Sequence, residues 1–264
     1  LDYKTENPEA YWEILRYMFG KEGIGITHLK LEMGSDVNSS SGTEPSVMRS
    51  ADEKADVTRG AGYQLAADAK EINPDLTLDM LWWSEPKWIT DSDDVYAARY
   101  KWYKGTLDSA YETYGIKFDY VSAVQNERGA DLKWVKYLSS HLKSETDCPY
   151  DYSKIKVVGG EEVCTWGFAD RMYEDSELMD AVDVVGSHYT SSSTAAAKKL
   201  AAEHGKELWF SEASSPMGYS QGTYRFDGSG LLGINGALDI ANRIIGMYPN
   251  GNMTLYEYQP LSVN

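Results

Sequence analysis

Val182-Asp-Val-Val-Gly-Ser-His-Tyr189 is the stretch that decides the fold. It is apolar in a continuous run, without the in-and-out alternation of a half-solvated strand, and it ends in two polar aromatic side chains, His188 and Tyr189. Strands covered on both faces read this way, and they belong to parallel sheets flanked by helices. Upstream, Ile155-Lys-Val-Val-Gly-Gly160 repeats the pattern; downstream, Leu208-Trp-Phe-Ser-Glu212 is a strand that ends in a carboxylate. Working outward, periodicity predicts further strands at 25–33, 76–83, 118–127 and 253–259, with the three central strands spanning 155–163, 182–189 and 208–213. Helices are expected at 8–19, 51–72, 95–114, 131–143, 168–179, 194–204 and 231–247. Asn7 is placed to cap the first, Pro8 stands at its first position and Gly20 at its stop.

Seven strands thus alternate with seven helices, and no linker is long enough to divide them, so residues 1–264 read as one domain. Such alternation admits an open doubly wound sheet or a closed barrel. A dinucleotide-binding sheet needs a Gly-rich turn after a strand, whereas Gly20-Lys-Glu-Gly-Ile-Gly25 follows a helix. The strand ends instead carry Glu127, His188, Tyr189, Glu212 and Glu257. In a (β/α)8 barrel those ends converge on the mouth where catalysis occurs. The expected fold is therefore an α/β (β/α)8 TIM barrel. Its first strand and last helix have no counterpart in the pattern, and the long polar loop Gly34 to Ser50 stands between the first strand read and the next helix.

Composition narrows the partners. Lys+Arg 25 against Asp+Glu 41 leaves a net charge of -16, which repels nucleic acid and anionic membrane surfaces. No apolar run approaches the ~20 residues needed to cross a bilayer, so stable membrane insertion is not expected. Leu1 to Pro8 lacks a basic-then-apolar signal pattern. Cys148 and Cys164 lack the paired spacing of a zinc site, and a single bridge between them stays open. Twenty Tyr and 8 Trp supply flat faces on which sugars stack, although aromatic rings are equally core filler.

Chemistry concentrates at two strand ends. Phe118-Asp-Tyr-Val-Ser-Ala-Val-Gln-Asn-Glu127 closes on Asn126-Glu127, and Leu208-Trp-Phe-Ser-Glu212 closes on Glu212. Retaining glycoside hydrolysis needs two carboxyl groups ~5–5.5 Å apart, one to protonate the leaving oxygen and one to attack the anomeric carbon. If the absent strand is counted first, Glu127 ends the fourth strand and Glu212 the seventh. That arrangement, with Asn before the first Glu, is the pattern of the large clan of retaining barrel glycosidases.

The sequence resembles one family of that clan, the galactocerebrosidases of glycoside hydrolase family 59. The matching segments are His28-Leu-Lys-Leu-Glu-Met-Gly34, the Asp36 to Met48 loop with Gly42-Thr-Glu-Pro-Ser46, and Leu81-Trp-Trp-Ser-Glu-Pro-Lys-Trp88. Asp119-Tyr through Asn126-Glu-Arg128, Val182 through Tyr189, Leu208 through Glu212 and Tyr256-Glu-Tyr-Gln-Pro-Leu261 follow in order. The resemblance implies that Glu127 is the acid/base and Glu212 the nucleophile, with Asn126 bonded to the sugar 2-hydroxyl. It also implies that Thr43 and Trp83 contact a galactose and that Tyr189 orients the nucleophile; His188, a strand-end histidine beside Tyr189, is counted with the substrate-binding residues. Glu127 must then hold a proton when Glu212 is ionised, and switch to base in the second step. The implied substrate is a β-galactoside of a glycolipid or oligosaccharide, cleaved without cofactor or metal. A secreted or lysosome-like setting and further β-sandwich or lectin-like domains are implied as well. The family often presents a Trp at the end of the last strand, where this sequence has Tyr256, Tyr258 and Gln259.

Three other readings compete. One is a related retaining barrel glycosidase acting on another sugar. A second is a metal-dependent barrel using Glu127, Glu162, His188 and Glu212, against which stands the lack of an H-x-H at a strand end. The third is a non-catalytic sugar-binding barrel. Glu32, Asp79, Glu162 and Glu257 are expected to be paired at the rim, and Trp82, Trp88, Met33 and Met48 to pack.

Overall fold

A computed structural model describes residues 2–37, 44–190, 192–213 and 234–258. The described elements run α1 (Asp2–Glu6), α2 (Pro8–Phe19), β1 (His28–Glu32), α3 (Ala61–Ile72), β2 (Thr77–Leu81), α4 (Lys87–Thr90), α5 (Val95–Tyr114), β3 (Tyr120–Ser122) and α6 (Leu132–Ser144). They continue with β4 (Lys156–Val163), α7 (Gly167–Glu174), α8 (Ser176–Ala181), β5 (Val184–His188), α9 (Ala195–His204), β6 (Glu207–Ala213), α10 (Ile234–Gly251) and β7 (Leu255–Tyr258). All seven expected strands are present among the described residues, in the expected alternation with helices.

The chain divides into two compact units. The first comprises residues 1–126 and 137–156. In it β1 pairs parallel with β2, His28 opposite Thr77 through Glu32 opposite Leu81. The Asp119 amide donates to the Leu78 carbonyl (3.0 Å) and its carboxylate accepts from the Leu78 amide (2.9 Å), which sets the start of β3 beside β2. Around these strands Leu31, Met33, Met48, Leu78, Met80, Trp102, Tyr103 and Leu107 form a buried core. Trp82 is buried too, and the Trp88 indole donates to the Met48 carbonyl (2.8 Å), so both act in packing as expected.

The second unit comprises residues 127–136 and 157–264. Strands β4, β5, β6 and β7 lie side by side, all parallel. Their apolar residues, Val157, Val158, Val184, Val185, Leu208 and Phe210, are all buried, as strands covered on both faces require. Gly159 lets Phe168 of α7 close on the sheet, since a Cβ there would overlap the Phe168 ring.

Helix ends follow local chemistry. Asp94 caps α5 by accepting from the Ala97 amide (3.0 Å), and Gly115 ends it in the left-handed conformation (φ 68°). Thr194 and Gly205 do the same for α9. Two helices differ from expectation. The helix read over 51–72 begins only at Ala61, because Asp56 caps a single 3-10 turn, Val57–Arg59, and Gly60 interrupts it. The helix read over 168–179 breaks at Asp175, whose carboxylate accepts from the Leu178 amide (3.1 Å) and so starts a new helix rather than continuing the old one. Asn7 stands at the N-cap of α2 but makes no side-chain cap bond, and Gly20 ends that helix in extended rather than left-handed backbone.

The polar loop after β1 is described on either side of residues 38–43. Arg49 grips Asp36 through two bonds, Nε to Oδ2 (2.6 Å) and Nη2 to Oδ1 (3.1 Å), and holds that carboxyl below its ordinary range. Glu44 reaches the first turn of α3, where its carboxylate accepts from the Ala61 amide (3.2 Å) in the space left by Gly60. Burial nevertheless pushes the Glu44 carboxyl up.

Candidate active site

Four expected site residues meet in the second unit at the ends of its parallel strands: Glu127, His188, Tyr189 and Glu212. His188, the last residue of β5, is fully buried. Its Nδ1 lies 3.5 Å from Glu212 Oε2 and 3.7 Å from Glu127 Oε1. One ligand-type atom from each of the three residues lies within 4.8 Å of the others. Glu212, near the end of β6, is almost wholly buried, whereas the Glu127 side chain keeps a third of its surface exposed. The Tyr189 hydroxyl donates to Glu212 Oε1, which restricts the rotation of that carboxylate.

The backbone at these strand ends is unusual. Glu127 (φ 58°), Glu161 (φ 53°), Cys164 (φ 54°) and Tyr189 (φ 49°) all occupy the left-handed region that non-glycine residues seldom adopt. Such conformations persist only where their surroundings impose them, and they cluster at functional sites.

Glu161 was not among the residues singled out from sequence. It is fully buried, and its Oε2 lies 2.7 Å from His188 Nε2. Gly186 makes the room: a Cβ at that position would overlap both Glu161 Oε1 and Ser211 Oγ. The neighbouring Glu162, by contrast, pairs with Arg171 and accepts from the Ala130 amide (3.3 Å). Glu162 is thus paired as expected, and of the four residues of the alternative metal set only Glu127, His188 and Glu212 are grouped closely enough to share an ion. The Glu161-Glu162 doublet at the end of a strand was the available signal.

The remaining candidates lie elsewhere. Asn126 and Trp83 belong to the first unit. There the Asn126 amide donates to the Trp82 carbonyl (2.9 Å), and the Gln125 side chain donates to the Trp83 carbonyl (2.7 Å). Asn126 is buried and the Trp83 ring half-buried. Thr43 lies outside the described residues. Asp79, in the first unit, is fully buried rather than at the rim, and accepts from the Ser122 hydroxyl (3.2 Å). Cys148 and Cys164 are both free thiols, which settles the bridge left open above. No described helix is long and apolar enough to cross a membrane.

Comparison with known proteins places the chain in a family. The model of glycosyl hydrolase family 59 matches residues 1–263. Human galactocerebrosidase is 32% identical over 222 residues, which are 81% of this chain and 31% of that protein. The dog galactocerebrosidase is 31% identical over 255 residues, 94% of this chain and 34% of its own length. The chain thus spans about a third of the length of these relatives. Among solved structures, SrfJ from Salmonella typhimurium superposes with a TM-score of 0.69 at 18% identity, covering 96% of this chain and 60% of that one. The catalytic domain of GH30 xylanase C from Talaromyces cellulolyticus gives 0.67 at 15% identity, over 95% and 63%. At such identities the likeness speaks for the fold, the (β/α)8 barrel type expected from the strand pattern. Matched over nearly its whole length, the chain belongs to glycosyl hydrolase family 59.

Proposed function

We propose that residues 1–264 act as one catalytic domain of a retaining glycoside hydrolase that removes terminal β-galactosides, with Glu212 as nucleophile and Glu127 as acid/base. The observation that carries this reading is the approach of a Glu127 and a Glu212 carboxylate oxygen to within 4.8 Å, although the two residues stand at the ends of strands that are not adjacent. That spacing suits direct attack by one carboxylate on the sugar; an inverting pair stands ~6.5–9.5 Å apart to admit a water. The choice of galactose rests on the family and on its galactocerebrosidase relatives. Asn126, Thr43 and Trp83 are proposed as sugar contacts on the family resemblance alone.

In the first step Glu212 attacks the anomeric carbon while the glycosidic carbon–oxygen bond breaks, and Glu127 passes its proton to the leaving oxygen. A covalent galactosyl ester on Glu212 results. In the second step Glu127, now a carboxylate, takes a proton from water as that water attacks the anomeric carbon, and the ester bond to Glu212 breaks. The two inversions restore the β configuration. The bond from Tyr189 keeps the attacking oxygen of Glu212 from rotating away, and the exposed side of Glu127 leaves it open to the leaving group and to water. No step calls for a cofactor, so chelation should leave turnover unchanged.

The test is inactivation by a 2-fluoro-galactoside followed by peptide mapping. The expected result is a label on Glu212, absent from Glu212→Gln. A label on any other residue, or normal turnover of an aryl β-galactoside by Glu212→Gln, overturns the assignment.

A further inference from the structure

We propose that Glu161 is the positioning residue of this site: its buried carboxylate fixes a proton on His188 Nε2 and so turns Nδ1 toward Glu127 and Glu212. The inference rests on the functional reading above for what the two carboxylates do, but the proton's location can be tested by itself.

Three observations lead to it. First, Glu161 Oε2 and His188 Nε2 are 2.7 Å apart, the length of a charge-assisted hydrogen bond, and both side chains are fully buried. A buried carboxylate is stable only when paired, and a carboxylate can only accept, so the nitrogen beside it carries the hydrogen. Second, the ring has two nitrogens on opposite edges, so pinning Nε2 decides what the other edge faces. Nδ1 then stands between two carboxyl oxygens at 3.5 and 3.7 Å, too long for strong hydrogen bonds but close enough for strong electrostatic coupling. Third, Glu161 also holds the backbone of Glu127, whose amide donates to the Glu161 carbonyl (3.0 Å). One residue therefore locates both the imidazole and the main chain of the acid/base candidate.

The groups facing His188 come from three elements besides its own. Glu161 stands on β4, Glu127 on the turn after β3, and Glu212 on β6, while Tyr189 on its own chain segment bonds Glu212. Glu162 is turned away to Arg171. With Nε2 committed to Glu161, a proton on Nδ1 would place positive charge between the two catalytic carboxylates, and its absence would leave a lone pair there. Either state keeps the ring edge trained on the pair whose proton must shuttle during the two steps. Without Glu161 the ring loses the partner that defines this edge.

The experiment is 15N NMR of the intact chain labelled at histidine, followed as a function of pH. The chain has only 4 His, so His188→Gln assigns the signal by difference. The expected result is that His188 Nε2 bears hydrogen across the whole range in which the protein stays folded. A neutral ring with hydrogen on Nδ1 and a bare Nε2 overturns the inference, and this needs no glycosidase activity and no variant of Glu161. In Glu161→Gln, whose carboxamide can either accept or donate, the hydrogen should no longer be confined to Nε2 and a share of the Nδ1–H tautomer should appear, while kcat should fall about 10- to 100-fold with KM changed far less. The pH profile of kcat should also change shape, which a simple loss of packing would not do. Glu161→Gln with wild-type kcat, KM and pH profile overturns the positioning role. A wild-type protein with hydrogen held on Nε2 but no action on any β-galactoside would sink the galactosidase reading and leave the Glu161–His188 pairing standing.

Discussion

Gly186→Ala is the substitution whose cost the structure states most directly. Gly186 sits in the middle of β5, held on one side by Gly160 of β4 and on the other by Trp209 of β6. A Cβ added there would come closer than 3.0 Å to Glu161 Oε1 and Ser211 Oγ, and to 3.0 Å from Ser211 Cβ. The strand cannot retreat, because parallel ladders fix it on both edges, so the carboxylate must. Overpacking of this kind costs about 1–3 kcal/mol. If Glu161 is also pushed off His188, a buried charge-assisted bond worth about 1.5–3 kcal/mol goes with it. The expected loss is about 2.5–6 kcal/mol if both occur, a large share of the roughly 5–15 kcal/mol by which a domain is stable. Urea denaturation followed by tryptophan fluorescence measures it, with an unchanged slope showing that the unfolded state is the same. Gly186→Ala combined with Ser211→Ala removes one of the colliding oxygens and should recover part of the loss, so the two changes should couple by more than about 0.5 kcal/mol. A single variant within about 0.5 kcal/mol of wild type would refute the claim that Gly186 exists to seat Glu161.

Three further outcomes are expected. Tyr189→Phe removes the hydroxyl that donates to Glu212, and turnover of an aryl β-galactoside should drop about 10- to 100-fold with folding intact; a change under twofold would show that the bond does not hold the nucleophile. Asp94→Ala deletes the cap of α5 and should cost about 1 kcal/mol in urea denaturation, against no loss if the neighbouring turn supplies the cap instead. The hydrogen bond from Arg59, followed by that from the Arg49 amide, draws the Glu53 carboxyl down to about 2 from an ordinary 4.5. Its folded value is the lower one, so its contribution is complete above pH 4.5 and disappears as pH falls through about 2. Melting temperatures of wild type and Glu53→Gln should therefore converge over that window, and a constant gap would count against the pairing.

The helices with chemical punctuation were the most legible part of the sequence. The helix read over 95–114 coincides with α5, because Asp94 and Gly115 mark both ends with residues whose backbone behaviour is local. The helix read over 51–72 failed at its start because Asp56 caps a 3-10 turn and Gly60, in extended backbone, separates that turn from the helix. The strand cores were legible as apolar runs, but their ends were not. The strand read over 118–127 pairs only over Tyr120–Ser122, since the chain leaves the ladder to bring Glu127 round into left-handed backbone. Glu161 was missed for the same kind of reason. Along a regular strand neighbouring residues face opposite sides, so choosing between Glu161 and Glu162 requires the register, and the ladder of β4 slips between Gly160 and Glu162. Gly160, at φ 92°, starts that slip, and no count along the sequence shows where parity changes.

The slip in β4 belongs to a larger pattern that ties the fold to the site. In the second unit three of the left-handed residues at strand ends donate their amide hydrogen to a carbonyl on a neighbouring strand. Glu127 donates to Glu161 (3.0 Å), Cys164 to His188 (2.8 Å) and Tyr189 to Glu212 (2.9 Å). Each acceptor is a residue whose side chain belongs to the cluster. A left-handed conformation costs a non-glycine residue on the order of 1 kcal/mol or more, so some gain must keep glycine out of these positions. At Glu127, Glu161 and Tyr189 the gain is the side chain itself: the acid/base candidate, the brace on His188 and the donor to Glu212. Hooking each strand tip onto the next ladder turns these side chains inward from backbone that is itself hydrogen-bonded, which is how a site is held when its residues come from four separate segments. The arrangement also explains why the cluster assembles around His188. It is the acceptor of one hook and the neighbour of the donor of another, so a shift at either strand end moves the imidazole and, with it, the charge environment of both catalytic candidates.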